Sequence, residues 1–250
     1  MSLKLLGKKC IVTGGSRGIG LEIAKRFSSE GASLLLLSTN NDHLAAALPQ
    51  LSTVAPDQSH SVTQFDVSCG RNFTDSDLPE KWPHKINDVD IVVNSAGISQ
   101  AALLMKMKPE NIDHLLRVNL LGSILMSQSF VRSMVRKRSG NIINLTSVLG
   151  SRGVTGTSVY AASKAGIVGF TKSLAVELGS KNVRVNCLSL GLANTDMGRA
   201  VAPAVKDYFM ANTPLGELVS PEDAAEAALF LATNSKITGT VLTVDGGFIS

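Results

Sequence analysis

The stretch "KKCIVTGGSRGIGLEIAKRFSSEG" (Lys8–Gly31) decides how the rest of this chain is read. Its opening, "KKCIVTGG", is apolar without alternation, as in a strand buried on both faces. Its close, "GIGLEIAKRFSSEG", reads as an amphipathic helix ending at Gly31. Between them lies "TGGSRGIG" (Thr13–Gly20), a glycine turn from strand to helix. Gly14 and Gly18 permit tight backbone and close approach of a phosphate, and Gly20 permits close helix packing. A helix N-terminus adds free N–H groups and a positive dipole end, which suit a pyrophosphate. The turn therefore predicts a dinucleotide site.

Working outward, the strand–helix alternation repeats. "ASLLLLS", "HSVTQFDVS", "VDIVVNSAG", "GNIINLTS", "VRVNCLSLG" and "GTVLTVDGG" read as further strands. Helices are expected over "LAAALPQL", from about Pro109 to Arg138 as one or two pieces, from about Ser158 to Leu178, and over "SPEDAAEAALFLAT" with Ser220 as N-cap. Leu192–Val219 is expected to be irregular. Some seven mostly apolar strands between helices predict an α/β fold: a Rossmann-type, doubly wound parallel sheet with helices on both faces. With no repeat or linker, residues 1–250 are expected to form one domain.

The 250 residues carry 24 basic and 20 acidic side chains, a net charge of +4, and only 4% aromatics. That suits an anionic small ligand and gives no ground for nucleic acid as a partner. Three scattered cysteines, Cys10, Cys69 and Cys187, offer no disulfide framework and point to a reducing compartment. His43, His60, His84 and His114 have no metal-ligand spacing, so no metal is expected. No apolar run reaches the ~18 residues of a membrane span, and "MSLKLLGKK" is too short in apolar residues for a secretory leader.

A second stretch, "SVYAASKAGIVGF" (Ser158–Phe170), sets Tyr160 four residues before Lys164. On a helix both share a face, and an adjacent cation is expected to lower the phenol pKa.

In order along the chain, TGxxxGxG at Gly14–Gly20, "NSAG" at Asn94–Gly97, Asn119, Ser147 and Tyr160-x-x-x-Lys164 resemble the short-chain dehydrogenase/reductase family over essentially the whole length. The resemblance implies Tyr160 as proton donor to a carbonyl, Lys164 as the residue that lowers its pKa and holds the nicotinamide ribose, Ser147 as carbonyl partner, and Asn119 as organiser of a proton-supplying water chain. It also implies cofactor contacts from Gly14, Ser16, Arg17, Gly18, Ile19, Gly20, Ser38, Asp66, Val67, Asn94, Ala96, Gly97, Tyr160, Lys164 and Thr195. Asp66 can alternatively cap a turn, and Asn119 can satisfy buried backbone groups. Ser38-Thr39-Asn40 carries no carboxylate after the second strand, and Arg17 offers a cation, so NADP(H) is expected over NAD(H). One departure is Leu190-Gly191, where the family has Pro-Gly.

Within the family, "LTSVLGSRGVTGTSVYAASKAGIVGFTKSLAVEL" is most similar to 3-oxoacyl-[acyl-carrier-protein] reductases. This implies reduction of an acyl thioester in fatty acid synthesis, and a homotetramer in the cytoplasm or mitochondrial matrix. Acidic carrier protein is then an expected partner, at a basic patch of Arg132, Arg136, Lys137 and Arg138 near the pocket; the same residues alternatively form a solvated helix end, where cations favour the C-terminal dipole. Rival readings are a carbonyl or quinone reductase, a hydroxysteroid-type secondary-alcohol dehydrogenase, and a catalytically silent cofactor-binding subunit.

Overall fold

The strands are β1 (Lys9–Thr13), β2 (Ser33–Ser38), β3 (His60–Gln64), β4 (Ile91–Asn94), β5 (Gly140–Ser147), β6 (Val183–Leu190) and β7 (Val241–Val244). They form one sheet in the order β3-β2-β1-β4-β5-β6-β7, and every pair is parallel. These are the features of a computed structural model that describes residues 3–100 and 102–249. Met1 and Ser2 of the leading segment therefore lie outside the described residues.

Successive strand residues face opposite sides of a sheet, and the core divides accordingly. Cys10, Val12, Leu34, Leu36, Ile143 and Leu188 pack with α1 (Gly18–Ser29) and α8 (Pro221–Thr233). Ile11, Leu35, Leu37, Val92, Ile142 and Val185 pack on the other face, with α4 (Gly122–Lys137) and α5 (Ser158–Gly179). Leu34 to Leu37 are fully buried, each contributing roughly 1.5–3 kcal/mol relative to exposure. This two-sided burial is why the strands lack alternation in sequence.

Three local details differ from expectation. The helix after β2 starts earlier: α2 spans Asn41–Ala47, because Asn40 caps it by accepting from the His43 amide at 2.8 Å. The long helical region is α3 (Pro109–Leu116) running through a π-turn (Arg117–Leu121) into α4. Leu192–Val219 is not irregular, for it holds α6 (Asp196–Arg199) and α7 (Pro203–Asn212). Thr195 caps α6 through the Gly198 amide, and Pro203 opens α7 at a position where its missing N–H costs nothing.

β1 pairs with β2 on one side and β4 on the other, so the chain reverses its winding between β1 and β4. Ligands of open α/β sheets bind beyond the strand C-termini at that reversal.

Candidate active site

Two loops leave the sheet at the reversal, one after Thr13 and one after Asn94. Thr13 joins them: its Oγ1 accepts from the amides of Ser95 and Ala96, both at 3.1 Å. Gly14, at φ +62°, lies so near that an added Cβ would sit 2.9 Å from Ala96 Cα. At Gly20 a Cβ would collide with the Gly14 carbonyl oxygen. The glycine loop thus folds back on its own helix at the first amides of α1. Arg17 at the N-cap makes no side-chain cap bond, so those amides remain open to an anion. Ser16 donates to Ser38 Oγ at 2.9 Å, tying the loop to the end of β2. The donor set and the glycine cradle fit a dinucleotide.

Ser147 ends β5, and α5 brings Tyr160 and Lys164 back beside it. Lys164 is 6% exposed. Its Nζ donates to the Leu145 carbonyl at 3.1 Å and lies 5.7 Å from the centroid of the Tyr160 ring. Among the described residues no carboxylate pairs with it. Burial pulls its pKa down to about 8. Tyr160 corrects the expectation that Lys164 lowers its pKa. Burial pushes the phenol up, and only the Ser147 hydroxyl beside it pulls it back. The ammonium sits over the ring and bonds to main chain, and burial dominates the shift of each group.

Asn119 lies in the π-turn and is 1% exposed. Its Oδ1 accepts from the Ile98 amide at 2.8 Å, while Nδ2 donates to the Ile98 carbonyl at 2.9 Å and to Ser163 Oγ at 3.2 Å. It therefore does satisfy buried backbone groups. An added Cβ on Gly97 would stand 3.4 Å from Asn119 Oδ1 and 3.6 Å from Lys164 Nζ, so Gly97 lies in the same corner.

The remaining expected contacts divide. Gly18 and Thr195 face each other across the cleft, 3.5 Å separating a Gly18 Cβ from Thr195 Cγ2. Ile19 is half-buried in the first turn of α1. Val67 is buried and packs so closely on Gly122 that a Cβ there would be 2.9 Å away, making it chiefly a packing residue. Asp66 does cap a turn, accepting from both the amide and the hydroxyl of Ser68 at 2.8 Å. Asn94 turns its amide inward, donating to Asn144 Oδ1 at 2.7 Å and Ser127 Oγ at 3.0 Å. Its side chain belongs to a buried network that continues through Thr171 to Cys187, so it does not line the cleft. Arg17 points to Asp196, an exposed pair at 3.6 Å.

The basic patch needs correction. Arg138 ends α4 in the left-handed region and donates to the Ser180 carbonyl. It precedes β5, whereas Ser147 closes that strand, so about 23 Å of extended chain separates the two ends. Within one protomer the patch is not beside the pocket. Leu190 extends β6 opposite Ser147 and is buried, holding the loop start in the ladder where proline would have no donor.

Thr13 and Gln100 were missed as site residues. Thr13 was visible inside the glycine motif. Gln100 has no sequence signal, because its partners lie 59 and 60 residues away.

A family profile described as enoyl-(acyl carrier protein) reductase matches residues 14–249. The 3-oxoacyl-[acyl-carrier-protein] reductase FabG of Chlamydia trachomatis serovar D is 44% identical, covering 99% of each chain. Carbonyl reductase family member 4 of Xenopus laevis is 36% identical, covering 97% of this chain and 98% of the relative. A solved structure described as a short chain dehydrogenase/reductase family protein is 31% identical with a TM-score of 0.85, covering 99% and 100% of the two chains.

Proposed function

The chain belongs to the short-chain dehydrogenase/reductase family, oxidoreductases of C=O and CH–OH groups that use a nicotinamide cofactor, and from that premise we propose that it reduces a 3-oxoacyl thioester with NADPH. The observation that carries the reading is the corner formed by Ser147, Tyr160 and Lys164 beside the glycine loop. A phenol kept neutral by burial and a hydroxyl touching it suit a carbonyl oxygen that takes up negative charge.

In this reading Ser147 and Tyr160 hydrogen-bond the substrate's C3 oxygen. When bound, the dihydronicotinamide supplies the hydride that adds to C3. Tyr160 gives its phenolic proton to the oxygen as the C=O bond becomes CH–OH, general acid catalysis by a group placed in contact with the reacting atom. Lys164, with a pKa of about 8, holds a proton near neutrality that can replace the one Tyr160 loses. Lys164 Nζ, Ala96 and Gly97 border the side where the nicotinamide ribose would lie; Ser38 and Arg17 border the adenosine side. Arg17 would leave Asp196 for a 2′-phosphate, since that ion pair is exposed and worth little.

A carrier-protein-linked acyl chain is the proposed substrate, after the Chlamydia relative's name, with no reliance on the Arg138 patch. A homotetramer is part of the same proposal. Val176, 83% exposed on α5, is apolar surface that such an assembly would cover. Among the described residues no helix is long and apolar enough to cross a membrane.

The Xenopus relative favours a second reading, reduction of a small carbonyl or quinone. One assay separates them. Purified protein is followed by loss of NADPH absorbance with acetoacetyl-CoA, an ortho-quinone, or crotonyl-CoA, with NADH in parallel and Tyr160→Phe as blank. Fastest turnover of acetoacetyl-CoA with NADPH is the expected result. Preference for the quinone would favour the second reading. Preference for the enoyl thioester would overturn both in favour of C=C reduction.

A further inference from the structure

The first three amides of a helix have no acceptor within it, and in α5 these belong to Ser158, Val159 and Tyr160. The usual remedy is the N-cap side chain. Thr157 does not supply it: its hydroxyl donates instead to the Val154 carbonyl at 2.6 Å. The acceptor comes from the loop after β4. Gln100 Oε1 accepts from the Val159 amide at 2.9 Å and from the Tyr160 amide at 3.0 Å. Its Nε2 donates to the Ala102 carbonyl at 2.6 Å, which fixes the oxygen toward the helix.

We propose that Gln100 is a positioning residue for Tyr160, a cap supplied from the cofactor-side loop that sets where the phenol stands. This rests on the reading of Tyr160 as the acid. The Tyr160 main chain is held at both ends, its N–H by Gln100 and its C=O by the Ser163 hydroxyl at 2.7 Å. Ser163 also accepts from Asn119, which grips Ile98, two residues before Gln100. The loop and the first turn of α5 are thereby one unit. A phenol on an unanchored helix end would sample positions away from the carbonyl oxygen, and small displacements cost large factors in rate.

The test uses the full-length protein and two substitutions. Gln100→Met keeps the length and removes the acceptor; Gln100→Glu keeps the acceptor and gives up the bond to Ala102, adding a charge that a helix N-terminus favours. In Gln100→Met, amide hydrogen exchange at Val159 and Tyr160 is expected to speed up about tenfold or more. Its kcat should fall about tenfold while the KM for acetoacetyl-CoA and the NADPH dissociation constant stay within about twofold. Gln100→Glu should recover most of kcat. Unchanged exchange at both amides in Gln100→Met overturns the cap. Unchanged kcat, or an equal kcat loss in Gln100→Glu, overturns the positioning role. Absence of turnover in the unmodified protein would overturn the reading of Tyr160 instead, and the exchange result would still decide the cap.

Discussion

Replacing Lys164 with methionine should make the protein more stable while removing its activity. Lys164 is buried, has one main-chain hydrogen bond and, among the described residues, no carboxylate partner. Burial takes its pKa from 10.5 to about 8. A shift of that size corresponds to about 3 kcal/mol. The sign follows from proton counting: between pH 8 and 10.5 the unfolded chain binds more protons than the folded one, so stability rises with pH across that window. Below pH 8 the full penalty is present. Methionine fills much of the same volume without a charge, and forfeits a hydrogen bond from a charged donor, worth about 2 kcal/mol. The net gain is about 1 kcal/mol at pH 7, or roughly 2–4 °C in melting temperature for a chain of this length. Urea unfolding of both proteins at pH 7 and pH 10 measures it, and most of the gain should be gone at pH 10. A methionine variant less stable at pH 7, or a difference that does not change with pH, would refute the reasoning. Such a result would mean that the ammonium is stabilised where it lies.

The same two pKa directions set the pH profile: kcat/KM for carbonyl reduction should fall as pH rises through about 8, as Lys164 loses its proton while Tyr160 keeps its own. Initial rates from pH 6 to 10 would show it. Ser38→Asp should move the NADPH/NADH preference by about tenfold or more toward NADH, because a carboxylate there repels a 2′-phosphate and can hold a ribose hydroxyl; cofactor titration checks this. Gly20→Ala should abolish cofactor binding and lower the melting temperature, since its methyl would meet the Gly14 carbonyl. Arg152 lies over the Phe248 ring at 4.5 Å and donates to Asn212 Oδ1 at 3.2 Å, joining the segment after Ser147 to the end of α7. Arg152→Ala should cost about 1 kcal/mol and speed proteolysis within α7, read by limited digestion.

What the sequence determined by itself was whatever rests on local or periodic chemistry. Unalternating apolar runs such as Leu34–Leu37 imply burial on both faces and hence a parallel sheet, and the glycines between β1 and α1 imply a turn onto an anion. The strand at Ser147 and the Tyr160–Lys164 spacing on one helix were likewise legible, because each is a matter of neighbours along the chain. The ends of α2, and the short helices α6 and α7, were harder to read. They depend on caps from Asn40 and Thr195 and on docking against the C-terminal segment, as in the stack of Phe209 on Phe248.

Only the tertiary structure decided how the charges and polar groups are spent. Asn94 turned inward to Asn144, Asp66 gave one carboxylate oxygen to its own turn, and Arg138 fell at the far end of β5 from Ser147. The Tyr160 pKa moved up, because desolvation is a property of everything packed around a group and not of its place in a motif. Gln100 reached α5 only because the sheet order sets β4 beside β5. Long-range hydrogen bonds leave no period and no spacing in the sequence, so the cap on Tyr160 exists only in three dimensions.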